Sequence, residues 1–207
     1  MLPEKDLHKT GNVAIFCIQP KPTNMKKWLI GSLVGAILVF GWQFLSWSVL
    51  GIHKDAFKYN PAQDSIINYL SSTLTEDGAY MIPTAKPGTP RKEHQEMAKQ
   101  MEGNPWASII YHKEAHFSMT RPMIRGFLID LFLVFTLIYI LTRAGTPNAV
   151  RILAGSVAVG LFCFLWGPYT GHNWFSLPMD MIKGDLIDGI AAWGLCGLWL
   201  GWWLNRK

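Results

Sequence analysis

Four long apolar blocks, separated by ordinary polar sequence, organise this chain. The first runs from Trp28 to Ile52 without a charge. At 1.5 Å rise per residue it is longer than the hydrocarbon core of a bilayer, even with tilt. Met25-Lys26-Lys27 precedes it like a positive n-region, but the block is too long for a signal peptide and lacks an A-x-A cleavage site, so it reads as an uncleaved signal anchor. The second block, Met123 to Leu141, is interrupted by Arg125 and Asp130. The third, Ile152 to Tyr169, has no charge and carries the small residues Ala154, Gly155, Ser156 and Gly160. The fourth, Leu186 to Leu204, ends in Trp199, Trp202 and Trp203 followed by Asn-Arg-Lys, an interfacial aromatic belt with a positive stop. The pattern predicts transmembrane helices over 25–52, 123–142, 152–169 and 186–207. A tight Gly/Pro-containing loop over 143–151 should pack the second and third helices antiparallel, and a longer loop should cover 170–185. Residues 1–24 read as a disordered tail, with Met25 as a natural start.

Between the first two blocks, residues 53–122 change character. Ile66, Ile67, Leu70 and Leu74 fall at helical spacing and predict an amphipathic helix over Pro61–Leu74 with Asn60 as its cap. Asp77-Gly78 signals a turn into a short strand, Ala79–Pro83. A polar helix is predicted over Arg91–Met101, ended by Gly103-Asn104-Pro105, and a second strand over Trp106–Tyr111. The expected fold is therefore an all-α membrane bundle of four transmembrane helices, with a small α+β extracytoplasmic domain inserted between helices 1 and 2.

Charge sets the expected orientation. Lys21, Lys26 and Lys27, then Arg143 and Arg151, then Arg206 and Lys207 all fall on one side of the four spans, which predicts that both termini are cytoplasmic. Lys113, Arg121 and Arg125 oppose this, but they adjoin a segment long enough to be translocated regardless of charge. A net charge of +5, with no basic face or stripe, argues against nucleic acid and for the lipid bilayer as partner. Cys17, Cys163 and Cys196 form no disulfide framework, zinc knuckle or C-x-x-C pair.

Several short pieces carry a resemblance: Lys26-Lys-Trp-Leu-Ile-Gly-Ser-Leu33, Phe44-Leu-Ser-Trp47, Gly78-Ala-Tyr-Met-Ile-Pro83, Ala107-Ser-Ile-Ile-Tyr111 and His172-Asn-Trp-Phe175. Together they resemble small multi-span inner-membrane proteins of bacteria. The resemblance implies the topology and a place in the bacterial cytoplasmic membrane; it implies no activity. Thiol oxidoreductases of the disulfide-forming kind would need external Cys pairs, and tetraspanins carry their large loop between the third and fourth spans.

Asp130 is the sharpest chemical feature, because an ionisable residue two turns inside a span is costly unless paired. Helical rise puts Gln43 at nearly the same depth, so the two are expected to meet, with Arg125, Asp185, Asp188 and His172 gathered toward the same boundary. A polar binding site and a structural hydrogen bond between helices are both open readings. His112 and His116, with Glu114 between them, have a spacing that would admit a divalent metal, or simply form a solvated polar face. No other cofactor is expected, since no phosphate loop, dinucleotide fingerprint or Ser-His-Asp order is present. Gly31-x-x-x-Gly35 and Gly197-x-x-x-Gly201 are close-packing motifs, within one chain or between copies. The leading expectation is a non-enzymatic accessory or assembly partner of a membrane complex, its external domain contacting another protein. A small-molecule, ion or metal site at the outer boundary comes second, and an enzyme acting on a lipid-linked substrate third.

Overall fold

The computed structural model describes residues 25–143 and 147–206. The tail 1–24 and the centre of the 143–151 loop lie outside the described residues. The described residues form two compact units, one of residues 58–119 and the other of the described residues before 58 and after 119.

The larger unit contains four helical stretches long and apolar enough to cross a membrane: α1 (Met25–Ser48), α4 (Thr120–Arg143), Ala149–Phe175 and α7 (Met179–Asn205). The third stretch is α5 (Ala149–Phe164), a π-helical turn (Leu165–Tyr169) and α6 (Thr170–Phe175) in succession. Pro168 accounts for the π turn: it has no N–H, and its ring would clash with the carbonyl one turn back, so the helix widens there. The Thr170 hydroxyl donates to the Leu165 carbonyl at 3.0 Å within this turn.

The helix ends have local causes. Asn148 caps α5, its side-chain oxygen accepting from the Arg151 N–H at 2.9 Å. Ser176, in the left-handed conformation at φ 52°, closes α6, and α7 begins directly after Pro178. Only Ser176–Pro178 therefore lies between the last two helices. The loop expected over 170–185 is instead helical at both ends, because the amphipathic stretch Met179–Asp188 propagates α7 by two to three turns beyond its apolar block.

Helix neighbours also differ from expectation. α7 packs along α5 and α1, and α1 packs along α4, whereas α4 and α5 touch over only a short stretch, where Leu141 lies against Gly155. Small residues decide this arrangement. Gly160 and Gly189 let the backbones of α5 and α7 come into contact, and a Cβ at Gly160 would collide with the Gly189 carbonyl. Gly197 sits against Ser156 and Gly201 against Ala149, while Gly31 and Gly35 receive Trp203, Val134 and Cys196. Both GxxxG motifs are thus filled by helices of the same chain.

Val39, Val134, Leu137, Ile138, Ile152, Cys196 and Leu200 form the buried centre of the bundle. Large apolar side chains such as Ile37, Phe132, Phe162 and Leu198 point outward, the arrangement suited to a lipid environment. At the end of α7, the indoles of Trp199 and Trp203 donate to the carbonyls of Gly31 (3.1 Å) and Lys27 (2.7 Å), and Lys27 Nζ donates to the Arg206 carbonyl.

The unit 58–119 contains α2 (Gln63–Thr73), β1 (Gly78–Ile82), α3 (Arg91–Met101) and β2 (Ala107–Tyr111), within a residue or two of the predicted elements. The strands pair antiparallel, Gly78 opposite Tyr111 and Ile82 opposite Ala107. Asn60 is not the helix cap itself. Its side chain accepts from the Ala62 N–H at 2.8 Å, forming an Asx turn just before α2. Tyr111 is the one buried residue of this unit.

Candidate functional site

The polar residues of the bundle converge on the C-terminal end of α1. Trp42 and Gln43 are consecutive, so they project about 100° apart and reach two different neighbours. The Gln43 amide donates to Asp130 Oδ1 on α4 at 3.4 Å, and the Trp42 indole donates to Asp188 Oδ1 on α7 at 2.9 Å. One helix thereby holds the carboxylates of both flanking helices. Asp130 is 5% exposed, and its Oδ2 is buried with no hydrogen-bond partner.

Beyond Ser48 the chain turns through Gly51, at φ 61°, and brings His53 back against α7. His53 Nε2 lies 2.9 Å from Asp188 Oδ2; since a carboxylate only accepts, Nε2 carries the proton. The imidazole stacks on Trp47 with centroids 3.9 Å apart and planes 6° from parallel, and its side chain is 3% exposed. Its other nitrogen, Nδ1, is buried without a partner and faces Gly184. A Cβ at Gly184 would stand 2.5 Å from His53 Cε1 and 2.6 Å from Nδ1, so only glycine leaves room for the ring. Asp185, one turn before Asp188, lies within electrostatic reach of His53 and Asp188. Lys183 Nζ bridges Asp55 (3.2 Å) and Asp180 (3.0 Å), fastening the same turn to α7 a second time.

The expected cluster is therefore divided. Asp130 meets Gln43 as predicted by depth, and Asp188 belongs to a separate set with Trp42 and His53. Arg125 does not join either. It is exposed, because five residues along a helix place it about 140° around from Asp130. His172 is also elsewhere: its Nδ1–H donates to the Leu177 carbonyl at 2.6 Å and its ring leans on Tyr169, so it secures the turn between α6 and α7.

His112 and His116 do not come together on a common ligand. His112 Nδ1 is 3.4 Å from Asp77 Oδ2, and His116 Nε2 is 3.8 Å from Glu114 Oε2, all four side chains being exposed. Among the described residues no group of three or more His, Cys, Asp or Glu side chains is placed to hold a metal ion. Asp77 also accepts the Lys113 backbone N–H at 3.0 Å; that bond, followed by the His112 side chain, holds its carboxyl below the ordinary value. This unit also has an open groove of about 440 Å³, between residues 84–89 and α3, lined by Lys86, Glu93 and Glu96 among others.

No candidate site drawn from the sequence includes Trp42, Trp47, His53 or Gly184. One signal was available: Gly184 and Asp188 are four apart, which puts a gap and a carboxylate on one helical face. Chemically, the arrangement is a set of charge-assisted and aromatic contacts fastening three helices at one end, with two buried atoms, Asp130 Oδ2 and His53 Nδ1, left unengaged. No protein-family model, curated protein or solved structure matches this chain.

Proposed function

We propose that this chain is an integral protein of the bacterial cytoplasmic membrane, with both termini cytoplasmic and residues 53–122 extracytoplasmic. Its role is that of a non-enzymatic accessory or assembly partner of a membrane complex. The supporting observation is the surface of the inserted unit. Ile67, Tyr69, Met81, Trp106 and Ile110 are all exposed, and a two-stranded sheet leaves both strand edges unpaired. Such surface is costly in water and is relieved by a protein partner. The Asp130–Gln43 and His53–Asp188 contacts suit a scaffold role, since they fix helix positions. Mild detergent extraction followed by cross-linking tests the reading. The native chain should give a discrete cross-linked complex that Ile110→Glu abolishes while the helical bundle stays folded; a monomer under every extraction condition would overturn it.

The unpartnered Oδ2 of Asp130 favours one second reading, a small-molecule or ion site at the same boundary. Unchanged phenotype and unchanged bound metal in Asp130→Asn and in His112→Ala/His116→Ala would remove it.

A further inference from the structure

Arg121 and Arg125 stand on the first two turns of α4, four residues apart and hence on one helical face. Both are exposed, and neither makes an ion pair or hydrogen bond among the described residues. Arg125 lies about 7.5 Å along a helix long and apolar enough to span a membrane. A guanidinium at that depth is costly unless it reaches an anion or the interface. The carboxylate of the same helix, Asp130, is turned to the opposite side and engaged by Gln43.

On the same side of α4, beginning at Ile124 between the two arginines and continuing below them, runs a strip of exposed apolar residues, Ile124, Leu128, Ile129 and Phe132, the last 68% exposed. The buried face of α4, with Asp130, Val134, Leu137 and Ile138, is the other one. Two unpaired guanidiniums above a continuous apolar strip have the layout of a phospholipid, with the phosphate at the top and the acyl chains alongside the helix. We infer that the Arg121–Arg125 face of α4 binds an anionic phospholipid, its phosphate held by the two guanidiniums and its acyl chains lying along Leu128, Ile129 and Phe132. Guanidinium and phosphate match in bidentate hydrogen-bonding geometry, which a lysine pair would not reproduce. A zwitterionic headgroup is a weaker ligand, because its own ammonium offsets the phosphate charge. The site does not depend on which leaflet it faces, so it stands or falls separately from the accessory-partner reading.

Native mass spectrometry of the full chain, released from detergent with equal amounts of phosphatidylglycerol and phosphatidylcholine, tests it. Retention of one phosphatidylglycerol with a preference of roughly tenfold or more is expected, from two basic groups at a membrane surface. Arg121→Gln/Arg125→Gln should lose the preference, and Arg121→Lys/Arg125→Lys should keep part of it. Equal retention of both lipids by the native chain would overturn the proposal, as would an undiminished preference in the glutamine variant. Inorganic phosphate competing the lipid away at millimolar concentration would also overturn it, since the site would then be a free-anion site. Should the double variant fail to fold, Arg121→Gln and Arg125→Gln taken singly decide the matter: each should lower the preference, and an undiminished preference in both would overturn the proposal.

Discussion

Gly184→Ala probes the tightest contact of the candidate site. The added methyl would lie 2.5 Å from His53 Cε1, 2.6 Å from Nδ1 and 3.0 Å from Nε2, so the whole ring, and not one flexible tip, must move by about 1 Å to regain ordinary van der Waals separation. A shift of that size breaks the 2.9 Å bond to Asp188 and the stack on Trp47. A hydrogen bond to a charged group contributes about 1.5–3 kcal/mol, and an aromatic stack about 0.5–1.5 kcal/mol. Replacing a helical glycine by alanine returns roughly 1 kcal/mol through propensity. The net loss expected is about 1–3 kcal/mol, read as a lower midpoint in mixed-micelle SDS unfolding followed by circular dichroism. The mechanism is isolated by a double-mutant cycle. In a His53→Ala background the ring is gone, and Gly184→Ala should become neutral or stabilising by up to about 1 kcal/mol. If the two substitutions simply add, the methyl acts elsewhere and the contact between His53 and Gly184 has been misjudged.

Gly160→Ala should be more damaging than Gly184→Ala, because its methyl meets the Gly189 backbone carbonyl, which cannot rotate away; a fall in folded yield and in the SDS midpoint is expected, whereas Gly41→Ala, inside α1 with open space at its Cβ, should leave the yield unchanged and the stability unchanged or raised by up to about 1 kcal/mol. Asp130→Asn keeps the shape and removes a carboxylate that, among the described residues, has one long hydrogen bond and no cation, so the unfolding midpoint should stay within about 1 kcal/mol of the native chain or rise. In the inserted unit, the Asp77 carboxyl is held below its ordinary value of 3.8 by the Lys113 N–H and His112. A depressed folded-state value means that its stabilisation is present above the unfolded value and is lost as pH falls through the folded one. Hydrogen exchange of the Lys113 amide should therefore stay slow at neutral pH and lose its Asp77-dependent protection only below about pH 4, while Asp77→Asn should exchange faster at neutral pH and show no such step.

The hydrophobic pattern alone determined the four apolar helices and the two helices and two strands of the inserted unit. Both follow from local periodicity and from turn residues: Asp77-Gly78 opens β1, and Pro90 and Gly103 bracket α3. The meeting of Asp130 and Gln43 was also legible, because rise per residue fixes depth along two helices each long and apolar enough to cross a membrane. Tertiary structure decided what depth cannot, namely the direction a side chain takes around the helix and the helix it meets. Arg125 and Asp130 share a depth zone but face opposite sides, so a cluster drawn by depth joined residues that rotation separates. The neighbours of each helix depended on where glycines allow backbone contact, and Gly160 against Gly189 brought α7 onto α5 while leaving α4 against α1. His53 was invisible as a site residue because its partners, Trp47, Gly184 and Asp188, lie on two helices far apart in sequence, and the turn at Gly51 carries its ring into the gap that the missing Cβ of Gly184 leaves open.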